Sequence, residues 1–309
     1  MAIAAEVELY TGPKQTGSSY VTGLAVGERY GLVTNLELAP PGLTSSLESG
    51  HMATGNSNLS LVLFNDYSFV PGPTGEYSFI FMGGFCQLSL SSNERGTFSV
   101  NPEAWNPGGV RGADSALIIS SNQAGTTETR ISFVETFQSQ WNSLLGQALQ
   151  GTPITQAGPP VLTWCMFPGT PGAVLPMPSP TTLSPDQIYL QIWQEVLINM
   201  PWYWSNYHAQ VFYFIQPYVN DGRLWVYGAS WWITVDPGAK SGLIYNLMAP
   251  QVANGLSVLE NKLNSALAAT SSLNPTDVYL LPGKQLTPLG TGPAFVGNTA
   301  DDVTIVIVS

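Results

Sequence analysis

An aromatic-dense stretch from Trp202 to Val235, folded about Asn220-Asp221-Gly222, constrains this chain more than any other segment. It holds Trp202, Trp204, Trp225, Trp231 and Trp232, together with Tyr203, Tyr207, Phe212, Tyr213, Phe214, Tyr218 and Tyr227. Asp-Gly between two apolar runs predicts a hairpin closed by a type I′ turn, because glycine accepts a positive φ. Folding there pairs Tyr218 with Trp225, Phe214 with Ala229 and Phe212 with Trp231 on one face. The other face carries Val219 with Leu224, Pro217 with Val226 and Val211 with Trp232. Both faces are apolar, so both must be covered, by the protein itself or on one side by a partner, lipid or ligand.

A chain of 309 residues is long for one domain and comfortable for two. Only 9% of its residues are charged, against about a quarter in an average soluble protein. Polar duty falls to Ser, Thr, Asn and Gln, among 31 Gly and 24 Pro. This balance suits β-rich extracellular, virion or secreted proteins. The net charge of −11 argues against nucleic-acid binding, which needs basic clusters to displace counterions. An anionic membrane would also repel the chain unless calcium bridged the two. Cys86 and Cys165 fit no metal-ligand spacing and leave two alternatives, one disulfide or two buried thiols. The first ten residues lack the basic region and apolar core of a classical signal peptide. The expected location is extracellular or host-facing by a non-classical route, or alternatively a virion or intracellular particle.

Residues 1–125 read as an all-β sandwich domain. Its candidate strands are Val7–Tyr10, Tyr20–Val26, Leu32–Leu38, Leu59–Phe64, Tyr77–Met82, Cys86–Leu90 and Ala116–Ser120. Residues 126–309 read as an α+β domain with a mostly antiparallel sheet. Ser132 and Glu135 predict a capping box for a helix over 132–149, striped by Phe133, Phe137, Trp141, Leu144, Leu145 and Ala148. Nine prolines punctuate 151–185, yet Val161–Phe167 is too apolar for a solvated linker. This segment reads as an extended strap packed on the domain, with an edge strand inside it. Ser184-Pro185-Asp186-Gln187 predicts a helix start, continued by Ile188, Ile192, Trp193, Val196 and Met200 until Pro201. A further helical region begins at Ser241, with Leu243, Leu247, Val252, Leu256, Leu259, Leu263 and Leu267 as its buried stripe. Pro250 is its kink or restart. Val278–Leu281 and Val303–Val308 close the chain as strands.

The pieces Val7-Glu8-Leu9-Tyr10, Gly17, Ser19-Tyr20, Leu36-Glu37-Leu38 and Pro40-Pro41-Gly42-Leu43 resemble one Greek-key motif of the βγ-crystallin superfamily. In that family a Tyr and a Gly at this spacing let the chain fold back across its own strand, and the Gly supplies the positive φ. A poorer second copy starts at Leu47, with Gly55 as its fold-back glycine, so the resemblance spans residues 7–90 at most. Gln15 stands where the family has an aromatic. The family's calcium signature is not cleanly present, so calcium binding is not carried over and no cofactor is expected.

No catalytic constellation is visible. His51 lies beside Glu48 in a Gly-rich stretch read as a loop, and His208 at the mouth of the hairpin. No G-x-S-x-G, H-E-x-x-H, C-x-x-C or Walker A pattern occurs. A Cys165–His208 thiolate pair is disfavoured, because an apolar run raises a thiol pKa. The expectation is a non-enzymatic binding protein, toxin-like in kind, contacting membrane lipid, glycan or a protein surface. The contact residues expected are Trp202, Tyr203 and Trp204, which follow a helix-ending Pro201, with Tyr207 and His208 at their edge. One alternative is a self-assembling coat or shell subunit, which low charge and Pro-rich straps would suit, and a homo-oligomer is expected. A second is a glycoside or ester hydrolase.

Overall fold

The computed structural model describes residues 3–12, 16–25, 28–33, 49–54, 58–64, 86–92, 97–99, 115–121, 126–138, 141, 149–166, 187–238, 240–284 and 302–309. The expected strand Tyr77–Met82, the remainder of Leu32–Leu38 after Val33, Gly55 and the helix start at Ser184–Asp186 lie outside them.

Eight N-terminal strands are β1 (Ile3–Gly12), β2 (Thr16–Ala25), β3 (Tyr30–Val33), β4 (Ser49–Thr54), β5 (Asn58–Phe64), β6 (Cys86–Ser92), β7 (Thr97–Ser99) and β8 (Ser115–Ser121). They form two antiparallel four-stranded sheets, ordered β2-β1-β4-β7 and β3-β8-β5-β6. Val7, Leu9 and Leu24 of the first sheet and Leu117–Ile119 of the second are buried. Gly17 takes φ +82° at the start of β2, a backbone position that glycine tolerates. His51 is in a strand and not a loop, paired with Glu8 on one side and Thr97 on the other.

The chain from residue 128 onward builds separate sheets. β9 (Glu128–Ser132), β15 (Asp277–Pro282) and β16 (Val303–Val308) form a three-stranded sheet with β16 in the middle. Every residue of β16 is buried, which suits its unbroken apolar run. The larger sheet contains β10 (Ile154–Gln156), β11 (Val161–Met166), β12 (Ile188–Ile198), β13 (Tyr207–Asn220) and β14 (Arg223–Val235).

Here the helix expected over 184–200 is overturned, because residues 188–198 are strand β12. Its apolar residues satisfy two periods at once. Ile188, Ile192 and Val196 suit a helix stripe, but Ile188, Leu190, Ile192, Val196 and Ile198 also alternate along a strand. The strand prevails because β11 and β10 pair with one edge of β12 and β13 with the other, and β-branched side chains fit the pleated surface. The described part of the strap thus supplies two strands rather than one. Leu162, Trp164 and Cys165 within it are buried.

The hairpin of β13 and β14 turns at Asp221 (φ +50°) and Gly222 (φ +65°), the two positive φ values of a type I′ turn. Tyr218–Trp225, Val219–Leu224 and Pro217–Val226 pair as the sequence implies. Beyond them the register shifts, since Ile215 pairs with Gly228 but Phe214 with Ser230, leaving Ala229 as an extra residue. Phe214 therefore faces Ser230 and not Ala229, Phe212 faces Trp232 and not Trp231, and Val211 faces Ile233 and not Trp232. A bulge reverses which side chains share a face, and no pairing rule counted from the turn anticipates it.

Helix α1 covers residues 133–138 and Trp141 among the described positions. Ser132 Oγ accepts from Glu135 N at 3.0 Å, while the Glu135 carboxylate meets Lys284 Nζ. Helix α2 (Ser241–Leu267) runs through Pro250 and ends in a 3-10 turn, Ala268–Leu273. Its buried stripe is Ile244, Met248, Val252, Leu256, Leu259, Leu263 and Leu267. Leu243 and Leu247, expected inside, are exposed; the stripe's phase in the first two turns is set by Ile244 and Met248. The large core joins α2 to one face of the big sheet through Leu224, Val226, Trp231 and Ile233, and reaches Tyr30, Leu117 and Ile119 of the N-terminal sheets.

Candidate aromatic contact site

Strands β12 and β13 are joined by residues 199–206, the loop expected to bear the contact residues. Trp204 N donates to Pro201 O at 2.8 Å, closing a turn with Trp202 and Tyr203 at its two corners. Met200 N donates to Asn206 Oδ1 at 2.9 Å and ties the base of the loop. The corner side chains have no sheet to lie on. Trp202 is 95% exposed, Tyr203 60% and Trp204 37%, a gradient from tip to base.

The three rings hold one another in edge-on contact. Trp202 and Tyr203 centroids are 5.6 Å apart at 88°, and Tyr203 and Trp204 are 5.8 Å apart at 84°. Such perpendicular pairs are favoured by the ring quadrupole. Lys240 Nζ sits 4.7 Å from the Trp204 centroid, so this ring face already receives a cation. Lys240 immediately precedes α2, whose exposed Leu243 (46%) and Leu247 (57%) follow in its first two turns. These three residues were missed as site candidates because an apolar stripe read along the helix absorbs the leucines.

Tyr207 and His208 open β13 beside the loop. Tyr207 is half-buried, and a Cβ on Gly238 would lie 3.1 Å from its ring, so it packs against Gly238 and the large core. His208 is exposed, pairs with Leu197, and its carbonyl accepts from Asp236 N at 3.1 Å.

Cys165 and His208 are held apart. Cys165 pairs with Tyr189 and His208 with Leu197, eight residues further along β12, or roughly 26 Å at about 3.3 Å per residue. Cys165 is a free, fully buried thiol, and burial pushes its pKa up. Among the described residues no group of three or more His, Cys, Asp or Glu is placed to hold a metal ion. No described helix is long and apolar enough to cross a membrane.

A second exposed aromatic pair lies at the opposite end of the same sheet. Tyr218 and Tyr227 stack edge-on at 5.8 Å near the hairpin turn, with the Tyr227 hydroxyl donating to Gln216 Oε1. Compared with protein-family models, characterised proteins and solved structures, the chain has no match.

Proposed function

We propose that this chain is a non-catalytic binding protein in which a duplicated Greek-key module carries a β-rich module that presents an aromatic contact tip. The observation that carries this reading is Trp202, almost wholly exposed on a loop closed by two backbone-anchored hydrogen bonds. Large apolar rings held in water add nothing to folding. Burying them against a partner gains about 25 cal/mol for each Å² removed from solvent.

The strand order supports the likeness to βγ-crystallin domains. The set β2-β1-β4 of one sheet matches β6-β5-β8 of the other, and each motif's third strand, β3 or β7, sits in the opposite sheet. In each motif the fourth strand returns beside the first, as a Greek key requires. On this reading the second motif begins at β5, and not at Leu47.

Binding of phospholipid vesicles, a glycan panel and the protein itself, compared between the wild type and Trp202→Ala, tests the proposal. A partner whose binding falls with Trp202→Ala supports it. Turnover on an ester, peptide or glycoside panel, with no binding affected by Trp202→Ala, removes it.

One observation favours a second reading, a self-assembling subunit. Exposed aromatics cap both ends of one sheet, Trp202–Trp204 at one and Tyr218 with Tyr227 at the other. Two different patches on one molecule suit a head-to-tail contact between copies. Size exclusion with light scattering separates the two readings, since the second requires large particles.

A further inference from the structure

Resting on the binding reading above, we infer that the aromatic tip docks on the headgroup layer of a zwitterionic phospholipid bilayer, a phosphatidylcholine surface. Three observations select this occupant. First, residues Pro201 to Asn206 carry no charge. The charged groups of the flanking residues, Asp236 and Lys240, are of opposite sign. A chain of net charge −11 is repelled by an anionic surface, whereas its neutral tip meets no such opposition on a headgroup layer without net charge.

Second, the ring faces suit a choline cation. Trp202, Tyr203 and Trp204 stand nearly perpendicular in succession, and Lys240 Nζ over Trp204 shows that a cation rests on this cluster. Quaternary ammonium groups are held by such aromatic corners. Lys240, at the base of the tip, supplies a cation of the kind that a headgroup phosphate takes as a partner.

Third, the helix that starts beside the Lys240–Trp204 contact exposes apolar side chains of its own. Leu243 and Leu247 lie one helical turn apart on α2, directly after Lys240, and both are exposed. Indole and phenol rings have an apolar body and a polar edge, which places them at the boundary between headgroups and acyl chains. Leucines beside them add the deeper contact. Tip, cation and leucines together form a peripheral anchor, with the acidic remainder of the protein kept in water.

The test is co-sedimentation of the full chain with phosphatidylcholine vesicles, and with vesicles in which half the lipid is phosphatidylglycerol. Wild type should bind the first and bind the second more weakly. Trp202→Ala should lower the partition coefficient on the order of tenfold, and Leu243→Ser with Leu247→Ser severalfold. Tyr218→Ser, at the far end of the sheet, should bind as wild type, and each variant's far-ultraviolet circular dichroism should match that of wild type. Equal binding by wild type and Trp202→Ala overturns the inference, as does tighter binding to the anionic vesicles. If no vesicle binds while a glycan or protein partner is lost with Trp202→Ala, the lipid assignment falls and the contact tip stands. If Trp202→Ala alters no binding at all, both fall.

Discussion

The Asn264 side-chain amide pairs with both backbone groups of Val226, accepting from Val226 N at 2.7 Å and donating to Val226 O at 2.9 Å. Val226 lies on β14, an edge of the large sheet among the described strands, where its outward backbone groups meet α2 instead of a strand. One turn earlier on α2, Glu260 Oε2 accepts from Gly228 N at 2.9 Å. The helix therefore covers the sheet edge with side-chain partners in place of another strand, which protects it from edge-to-edge pairing. Asn264→Leu is expected to lower stability by about 1–3 kcal/mol, because two buried backbone groups lose their partner. Denaturant unfolding at several protein concentrations checks this, and the variant should also aggregate more readily.

Gly228 allows the close approach of α2. A Cβ there would lie 2.6 Å from Leu256 Cγ, inside any permitted contact. Gly228→Ala should destabilise by about 1–3 kcal/mol through overpacking. Leu256→Ala opens space at the same point, so the double variant should lose less than the sum of the two single losses. A strictly additive double-mutant cycle would show that the helix does not rest on this glycine.

Tyr30 joins the N-terminal sheets to β15. Its hydroxyl accepts from Leu280 N at 2.9 Å and donates to Leu280 O at 3.3 Å. Beside it Arg29 pairs with Asp277 and lies 5.1 Å from the Tyr279 centroid. Burial pushes the Tyr30 pKa from 10.0 up to about 12, partly offset by its hydrogen bond with Leu280. The folded protein thus holds this proton more tightly than the unfolded chain. The resulting stability is fully present below pH 10 and is lost as pH rises through about 12. Tyr30→Phe should flatten the alkaline limb of a stability–pH curve between those values. It should also weaken docking of the two parts at neutral pH, read as easier proteolysis between residues 121 and 128.

Much of this fold is legible in the residues, and the parts that are not share a physical cause. The Asp221-Gly222 turn, β15, β16 and the span of α2 follow from local chemistry: a positive φ, a continuous apolar run, a helical period. Strand β12 is not legible, because its apolar pattern permits both a helix and a strand. The decision rests with β11 and β13, which pair with it from outside its own residues. The bulge at Ala229 follows Gly228, which lies against Leu256 and Glu260 of α2, and a lone glycine in a strand does not by itself fix a register. The exposure of Trp202–Trp204 was legible from the absence of a ladder to hold large rings, although Pro201 follows a strand and not the helix expected before it. Lys240, Leu243 and Leu247 were not, since only packing reveals which neighbouring stripe of α2 faces inward.

Gln191 sits in the middle of β12 between Thr163 and Phe214, fully buried, and neither side-chain amide atom has a hydrogen-bond partner among the described residues. Such a group retains the desolvation penalty without compensation. Gln191→Leu keeps the size and removes both polar atoms. It should raise stability by about 1–3 kcal/mol, seen as a higher denaturant midpoint at unchanged slope. A lower midpoint would mean that a polar partner meets this amide in solution.

The sharpest contrast within one aromatic stretch is between Trp202 and Trp231. Trp231 is buried, pairs with Tyr213 across the hairpin, and belongs to the core that joins the sheet to α2. Cutting it to Ala removes a large packed ring and leaves a cavity, an expected loss of about 3–5 kcal/mol, which is much of a marginal domain's stability. Trp202 touches Tyr203 at one edge and otherwise faces solvent. Its removal should shift the melting temperature by no more than a surface substitution does, within about 0.5 kcal/mol. Trp204 is intermediate, because Lys240 and Tyr203 pack on it. Thermal melts should therefore rank the alanine variants Trp231, Trp204, Trp202 from most to least destabilised. Intrinsic fluorescence supplies a second reading. Trp202→Ala should remove the red-edge, solvent-quenched emission, and Trp231→Ala the blue-shifted emission. A Trp202→Ala variant that melts as low as Trp231→Ala would place the tip inside the fold rather than at its surface.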